Sequence, residues 1–196
     1  MAGIAAGDFW ARSRALKFLR FVHRLDAETS GIVLLVKSPG AVPAYSRLFE
    51  SRQVEKVYLA IVNGIPPETA WTCRLKLGAD AKVHGKVKLN ARSGKDAETH
   101  LRVLETKGKR ALVEARPITG RTHQIRVHLA ESACPVVGDK LYGAEGQTGK
   151  SALALRAVEL AYTDPFTNKK VRIKAPVDEF LREYGFGPKR GHEDDP

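Results

Sequence analysis

At 196 residues the chain is long enough for one well-filled core and short for two, so a single domain is expected. A formal net charge of +11 and a pI near 9.8 point to a polyanionic partner, nucleic acid or an anionic surface. Two cysteines, Cys73 and Cys134, with no CxxC and no Cys/His cluster, suggest a reducing compartment and exclude a structural zinc, and no apolar run approaches a membrane span.

The first twenty residues are rich in arginine and poor in acids, as in an organelle transit peptide. A motif at His23 follows so closely that cleavage would leave it no lead-in, so the segment is assigned to the domain. That motif is His23-Arg24-Leu25-Asp26-Ala27-Glu28-Thr29-Ser30-Gly31. Asp26 is the first acid after Asp8, and Arg12, Arg14, Lys17, Arg20 and Arg24 lie between them, so an anion approaching this loop meets positive charge. Taken locally, an aspartate before Thr-Ser-Gly is also ordinary turn chemistry.

Gly31 to Lys37 is a continuous β-rich apolar run ended by Ser38-Pro39-Gly40, which predicts a buried strand and a turn. Val42 to Glu50 places Tyr45, Leu48 and Phe49 at helical spacing and predicts an amphipathic helix. Lys56 to Val62 predicts a strand closed by Asn63-Gly64, with Val57, Leu59 and Ile61 on one face and Tyr58, Ala60 and Val62 on the other. From Trp71 to Arg116, strand-like runs alternate with polar interruptions at Gly78-Ala79-Asp80, Ser93-Gly94 and Lys107-Gly108, as in an antiparallel meander. Thr119-Gly120 then opens a helix with Thr119 as its expected N-cap. Strands near Leu153–Ala161 and Lys169–Lys174 and a short helix at Asp178–Tyr184 follow, and residues 185–196, rich in glycine, proline and charge, are expected to be disordered. Strands outnumber helices and few are joined by crossover helices, so the fold class is α+β: a single domain over 1–184, with a largely antiparallel mixed sheet flanked by a few helices.

Residues 82 to 126 hold 12 lysines and arginines against 4 acids, a net of +8, which predicts a basic patch. Within it, Arg116 to His128 reads as a helix start carrying arginines and histidines, where backbone N–H groups favour a phosphate or carboxylate. His123 and His128 are five apart, which does not match the i, i+4 pair of a helical metal site. For His123 and Gln124, hydrogen bonding that holds the fold is the favoured reading.

The series His23-Arg-Leu-Asp26, Thr29-Ser-Gly31, Lys56-Val-Tyr58-Leu-Ala, Gly94-Lys-Asp-Ala-Glu-Thr99, Gly120-Arg-Thr-His-Gln-Ile-Arg126-Val-His and Val137-Gly-Asp-Lys-Leu-Tyr-Gly143 resembles, in sequence and in order, the RluA-type pseudouridine synthases. The resemblance covers roughly residues 20 to 176. It implies that family's catalytic fold and a cofactor-free isomerisation of uridine to pseudouridine within ribosomal or transfer RNA, with no metal. Asp26 matches the family's essential aspartate, which either attacks C1′ or takes the 2′ proton. Tyr58 matches the tyrosine that packs on uracil, and Arg126 the partner arginine, whose proximity within about 4–6 Å would hold a carboxyl roughly 1–3 below its ordinary pKa. RNA contacts are expected from Arg24, Arg121, His23 and Thr29. Arg24 is placed either to fill the stack vacated by a flipped uridine or to hold a phosphate. A cytoplasmic monomer is implied, with no membrane partner.

The chain departs from the family pattern in lacking an Asn-Lys-Pro-x-Gly segment before His23, so the sheet either does without the early strands, takes them from another segment, or belongs to a fragment or short form. No S4-type domain precedes the motif, so the catalytic domain itself is expected to grip RNA, and Arg156 stands where the family more often has histidine. The alternatives are a non-catalytic RNA-binding homologue acting in RNA or ribosome assembly, and a glycosidic hydrolase, for which Glu28 is the only near second acid.

Overall fold

Apolar residues at strand period dominate the chain, and they assemble into one large sheet. The computed structural model describes residues 17–80, 83, 85–143 and 152–187. Its strands are β1 (Arg20–Phe21), β2 (Ser30–Gly31), β3 (Leu35–Val36), β4 (Glu55–Asn63), β5 (Ala70–Ala79), β6 (Val87–Leu89), β7 (Lys95–Lys107), β8 (Arg110–Pro117), β9 (Leu155–Thr163) and β10 (Lys170–Lys174). The helices are α1 (Val42–Glu50), α2 (Gln124–Glu131) and α3 (Asp178–Glu183). The main sheet runs β10-β9-β4-β8-β7-β5-β6, antiparallel throughout, while β2 adds to β9 in parallel and β1 pairs with β3 as a separate ribbon. This is the expected α+β class.

Strand β4 lies at the centre between β8 and β9, and Ala60, Ile61 and Val62 are fully buried. Both alternating sets of β4 are covered, by Ile125 and Leu129 of α2 and by Phe180 and Phe186 near the C-terminus. Burial of each such aliphatic or aromatic side chain is worth roughly 1.5–3 kcal/mol, so this strand anchors everything attached to it. Val57 and Tyr58 flank an irregularity in the register with β9.

Four expectations need correction. The apolar run Gly31–Lys37 is not one buried strand: residues 30–31 pair with β9, residues 35–36 pair with β1, and only Val36 of the run is buried. The peptide groups between these pairs go to different partners, so periodicity alone misreads the run. β5 continues through Gly78 to Ala79, because Gly78 and Ala79 pair with Lys88 and Val87 of β6. α2 starts at Gln124 rather than after Thr119, since His123 sits at φ 54 in the left-handed region and interrupts any helix begun earlier. Phe186, assigned to the tail, is 2% exposed within the core, so packing reaches beyond Tyr184; residues 188–196 lie outside the described residues.

The basic segment also divides. Strand alternation sends Arg102 and Arg116 to the solvent side of the sheet, where both meet Glu114 at 3.3 and 3.0 Å. Arg74 and His100 share Glu98 there in the same way. This side is a charge ladder of both signs, not a basic patch.

His128 of α2 is fully buried, and neither ring nitrogen has a hydrogen-bond partner among the described residues. Burial drives its pKa down to about 4 from 6.5, so the folded protein holds the ring neutral. Below pH 6.5 the unfolded chain takes up a proton that the native state refuses, so stability present above 6.5 is lost progressively toward pH 4. His128→Phe should flatten the fall in urea midpoint between neutral and mildly acidic pH; an unchanged slope would exclude His128 as a source of the acid sensitivity.

Candidate active site

The segment carrying Asp26 is fixed at both ends. At its entry the His23 ring stacks on Phe49 of α1, centroids 4.5 Å apart, and Nε2 accepts the Leu34 N–H at 2.8 Å. Burial, against a smaller opposing hydrogen bond from the ring to the Arg24 backbone, lowers the His23 pKa to about 4, so a neutral ring can serve as that acceptor. In the middle, the Thr29 N–H donates to the Asp26 carbonyl at 2.9 Å and closes a turn.

At its exit, Ser30 and Gly31 pair with Arg156 and Ala157 of β9, and the Ile32 N–H donates to the Ala157 carbonyl at 3.1 Å. Gly31 adopts φ +115, and a Cβ there would lie 2.1 Å from the Ala157 carbonyl oxygen. Only glycine allows this approach. Arg156 staples the junction, donating to Ser30 Oγ at 3.2 Å and to the Pro176 carbonyl at 3.1 Å.

Held in this way, the half-buried Asp26 lines a cavity of about 510 Å³ together with Tyr58 of β4. Burial first, and then the Asp26 charge, push the Tyr58 phenol up to about 12, which keeps it protonated at neutral pH. His23, Arg24, Thr29 and Arg121 also reach the cavity wall. His23 nevertheless has the structural task just described. The Thr29 hydroxyl oxygen is buried without a hydrogen-bond partner among the described residues. Arg24 is exposed, and Arg121 Nε donates to the Asp96 carbonyl at 3.0 Å.

The opposite wall, Pro117 to Thr122, owes its shape to Gln124. Its Oε1 accepts the Thr119 hydroxyl at 2.6 Å and the Arg121 N–H at 3.0 Å, while its Nε2 donates to the Glu98 carbonyl and to Thr99 Oγ1, both at 2.9 Å. Gln124 thus holds the fold as expected. Thr119 serves this knot and the Glu98 N–H rather than capping a helix.

Arg126 differs from expectation. Its guanidinium forms a two-pronged pair with Asp139, at 2.7 and 2.6 Å, with side chains 3% and 0% exposed. It does not reach the cavity wall, and Asp139, not Asp26, takes its fork. The reason lies in the loop after α2, where the Leu141 and Tyr142 N–H groups hold Asp139 at 3.0 and 3.1 Å and the Tyr142 ring covers the guanidinium at 5.1 Å. Burial opposes the Arg126 charge, but the bond to Asp139, and then the fields of Asp139 and Asp26, more than offset this and raise its pKa. At Asp139 burial is the largest single influence and pushes the pKa up, but the Arg126 bond and charge together with the Leu141 and Tyr142 N–H groups outweigh it and lower the pKa. Arg126 and Asp26 are therefore linked by their charges and not by a hydrogen bond. The Tyr142 hydroxyl further joins His123 Nδ1, at 2.9 Å, to the Val87 N–H, at 2.8 Å.

Sequence reasoning missed Asp139 and Tyr142 as site supports, and Arg52 and Lys56 on the wall. A lone acid after the apolar Val136-Val137, close behind a helix bearing Arg126, was a usable signal for Asp139. Glu28 is exposed and paired with Lys140 at 3.1 Å, away from the cavity, where Glu50 is the other acid on the wall.

A central antiparallel sheet with an aspartate loop docked on it and a tyrosine facing that loop defines a class, and comparison with known proteins identifies it. The RNA pseudouridylate synthase family model matches residues 9–131, and the chain belongs to this family. It is 37% identical over 175 residues to the ribosomal large subunit pseudouridine synthase C of Vibrio vulnificus (strain CMCP6), which covers 85% of this chain and 54% of that relative. Against the protein of the same name from Escherichia coli (strain K12) the identity is 35%, over 85% of this chain and 55% of the relative. The chain thus spans about half the length of the curated relatives it matches. Among solved structures, human RNA pseudouridylate synthase domain containing 1 superposes with a TM-score of 0.74 at 30% identity, covering 85% of this chain and 71% of that one. Human RNA pseudouridylate synthase domain containing 4 gives 0.69 at 26% identity, covering 83% and 72%.

Arg126→Met would strand the buried Asp139 charge, and urea unfolding should show a loss of about 3–5 kcal/mol. Arg126→Met combined with Asp139→Leu should recover most of it. A single-variant loss well under 1 kcal/mol would show that the pair does not support the wall.

Proposed function

We propose that the protein is an RNA pseudouridine synthase that isomerises a uridine in ribosomal RNA of the large subunit. The observation carrying this reading is the placement of Asp26 and Tyr58 on one cavity, with the Asp26 charge acting directly on the phenol. The names of the relatives support the choice of RNA.

The reaction needs no external reagent. The N1–C1′ bond breaks, uracil turns within the cavity, C5 bonds to C1′, and the proton leaving C5 is balanced by one gained at N1. Asp26 works as a carboxylate, by attack on C1′ or by removal of the 2′ proton, and both routes need it ionised. Tyr58 offers an aromatic face for the detached base, and stacking is worth roughly 1–3 kcal/mol per base. Its raised pKa makes it a protonated partner of Asp26, suited to donating a hydrogen bond rather than serving as a resting base. Arg126 supplies a fixed positive field behind Asp26.

A uridine in a stem or loop must be flipped out at a cost of a few kcal/mol. The exposure of Arg24 on the cavity wall supports a part for it in filling the vacated stack or holding a phosphate. The ribosomal relatives support a cytoplasmic setting. The position of Glu28 weighs against a two-carboxylate hydrolase.

Incubation with RNA from a strain lacking the protein, followed by pseudouridine mapping, should reveal a new modified site. Asp26→Ala should lower the rate by on the order of 10³-fold or more. In the same assay Arg24→Ala should lose more on a structured hairpin than on an unstructured oligonucleotide. Absence of any new site would leave RNA binding without catalysis, and release of free uracil would establish a hydrolase instead.

A further inference from the structure

On the solvent side of the sheet and behind the cavity, several cations are matched by acids. Arg126 has Asp139, Arg102 and Arg116 have Glu114, and Arg172 has Glu159. Of the cations on the cavity wall, Arg52 and Lys56 lie at the end of α1 and on β4 and have no such acid among the described residues. Lys56 lies two residues before Tyr58 on β4, hence on the same side of the strand, and is half-buried. Its Nζ donates to the Thr119 carbonyl at 3.3 Å, and it forms no ion pair among the described residues. Arg52, at φ 60 just beyond α1, also lines the cavity without an ion pair among the described residues. Glu50, on the same wall, pairs with neither of them.

Two like charges next to a cavity, one of them partly desolvated, repel each other at a cost. Burial, and then the Arg52 charge, bring the Lys56 pKa down to about 8. The Glu50 carboxylate on the same wall does not take this place, as Glu114 and Asp139 do for their arginines. An incoming anion would relieve both the desolvation and the repulsion.

We propose that Arg52 and Lys56 together hold an RNA phosphodiester next to the uridine that enters the cavity. This rests on the proposed pseudouridine synthase function and names the backbone contact of that same site. Residues i and i+2 of a strand are about 6–7 Å apart, a spacing within the span of one nucleotide. With the base on Tyr58, the sugar–phosphate chain therefore runs along β4 toward Lys56. Lys56 contributes a half-buried point charge, and Arg52 a fork suited to two phosphate oxygens. The bond from Lys56 to Thr119 carries the same contact into the Pro117–Thr122 wall, so a bound phosphate also positions the loop that bears Arg121.

The test is the salt dependence of RNA binding, measured by fluorescence anisotropy of the full chain with a labelled uridine-containing hairpin from large-subunit ribosomal RNA across a KCl series. Removing one cation from a phosphate should make the slope of log K against log [KCl] shallower by about 0.7–0.9. Arg52→Gln and Lys56→Gln should each show this change, and Lys56→Arg should keep the wild-type slope. A Lys56 that only latches Thr119 would weaken binding with no change in slope, which overturns the proposal. If Lys56→Gln misfolds by circular dichroism, Arg52→Gln at the exposed rim decides alone, and an unchanged slope there is equally adverse. Pseudouridine formation on the same hairpin separates the two claims. Turnover with unchanged slopes sinks the phosphate site and leaves the function standing; shallower slopes without turnover do the reverse. Failure to bind RNA sinks both.

Discussion

Backbone against backbone, at Gly31 on Ala157, is the contact on which the geometry of the cavity depends. A loop carrying a carboxylate between arginines would, left to itself, sample many arrangements. Here a two-residue parallel pairing welds it to β9, and β9 is hydrogen-bonded to the central strand β4 that bears Tyr58. The distance between the carboxylate and the phenol is thus set by two adjacent strands rather than by flexible side chains. Orientation of this kind is the part of catalysis that a small domain can supply through its fold.

The electrostatics follow from the same frame. The Arg126–Asp139 pair is buried too deeply to be strong evidence of stability, since desolvation takes back much of its Coulomb energy. Under the proposed function its value lies in fixing a positive charge behind Asp26 while leaving the cavity wall free for substrate. His23 shows the opposite strategy: burial keeps it neutral, and as an acceptor it satisfies a peptide N–H that the broken apolar run would otherwise leave unpaired. Gln124 does similar work on the far wall with four hydrogen bonds. Charge at the mouth is then left to Arg24, Arg52, Lys56 and Arg121, while the solvent side of the sheet neutralises itself.

Much of this was legible in the sequence where the signal is local. Tyr45, Leu48 and Phe49 announced α1, the β-branched and aromatic residues of 56–62 announced β4, and Lys107-Gly108 marked the tight β7–β8 turn, where Gly108 takes φ +59. The family-like motifs brought Asp26 and Tyr58 to one cavity. What stayed hidden concerns partners. Nothing in Gly31–Lys37 says that its peptide groups divide between β9, His23 and β1. Nothing in the spacing of Arg126 says that an acid thirteen residues later takes its guanidinium. A count of basic residues in 82–126 cannot show that pairing brings Arg102 and Arg116 to the same Glu114. Local patterns report what a residue prefers, while long-range pairing decides what it touches.

The central claim is that docking of the Asp26 loop on β9 creates the active geometry, and substitution of Gly31 tests it most directly. In Gly31→Ala the added Cβ meets the Ala157 carbonyl and the φ of +115 becomes strained, so the loop should lift while the sheet stays folded. Pseudouridine formation on a uridine-containing hairpin should then fall by on the order of 10²-fold or more, with RNA affinity and the far-ultraviolet circular dichroism close to wild type. Wild-type turnover in a folded Gly31→Ala protein would contradict the account.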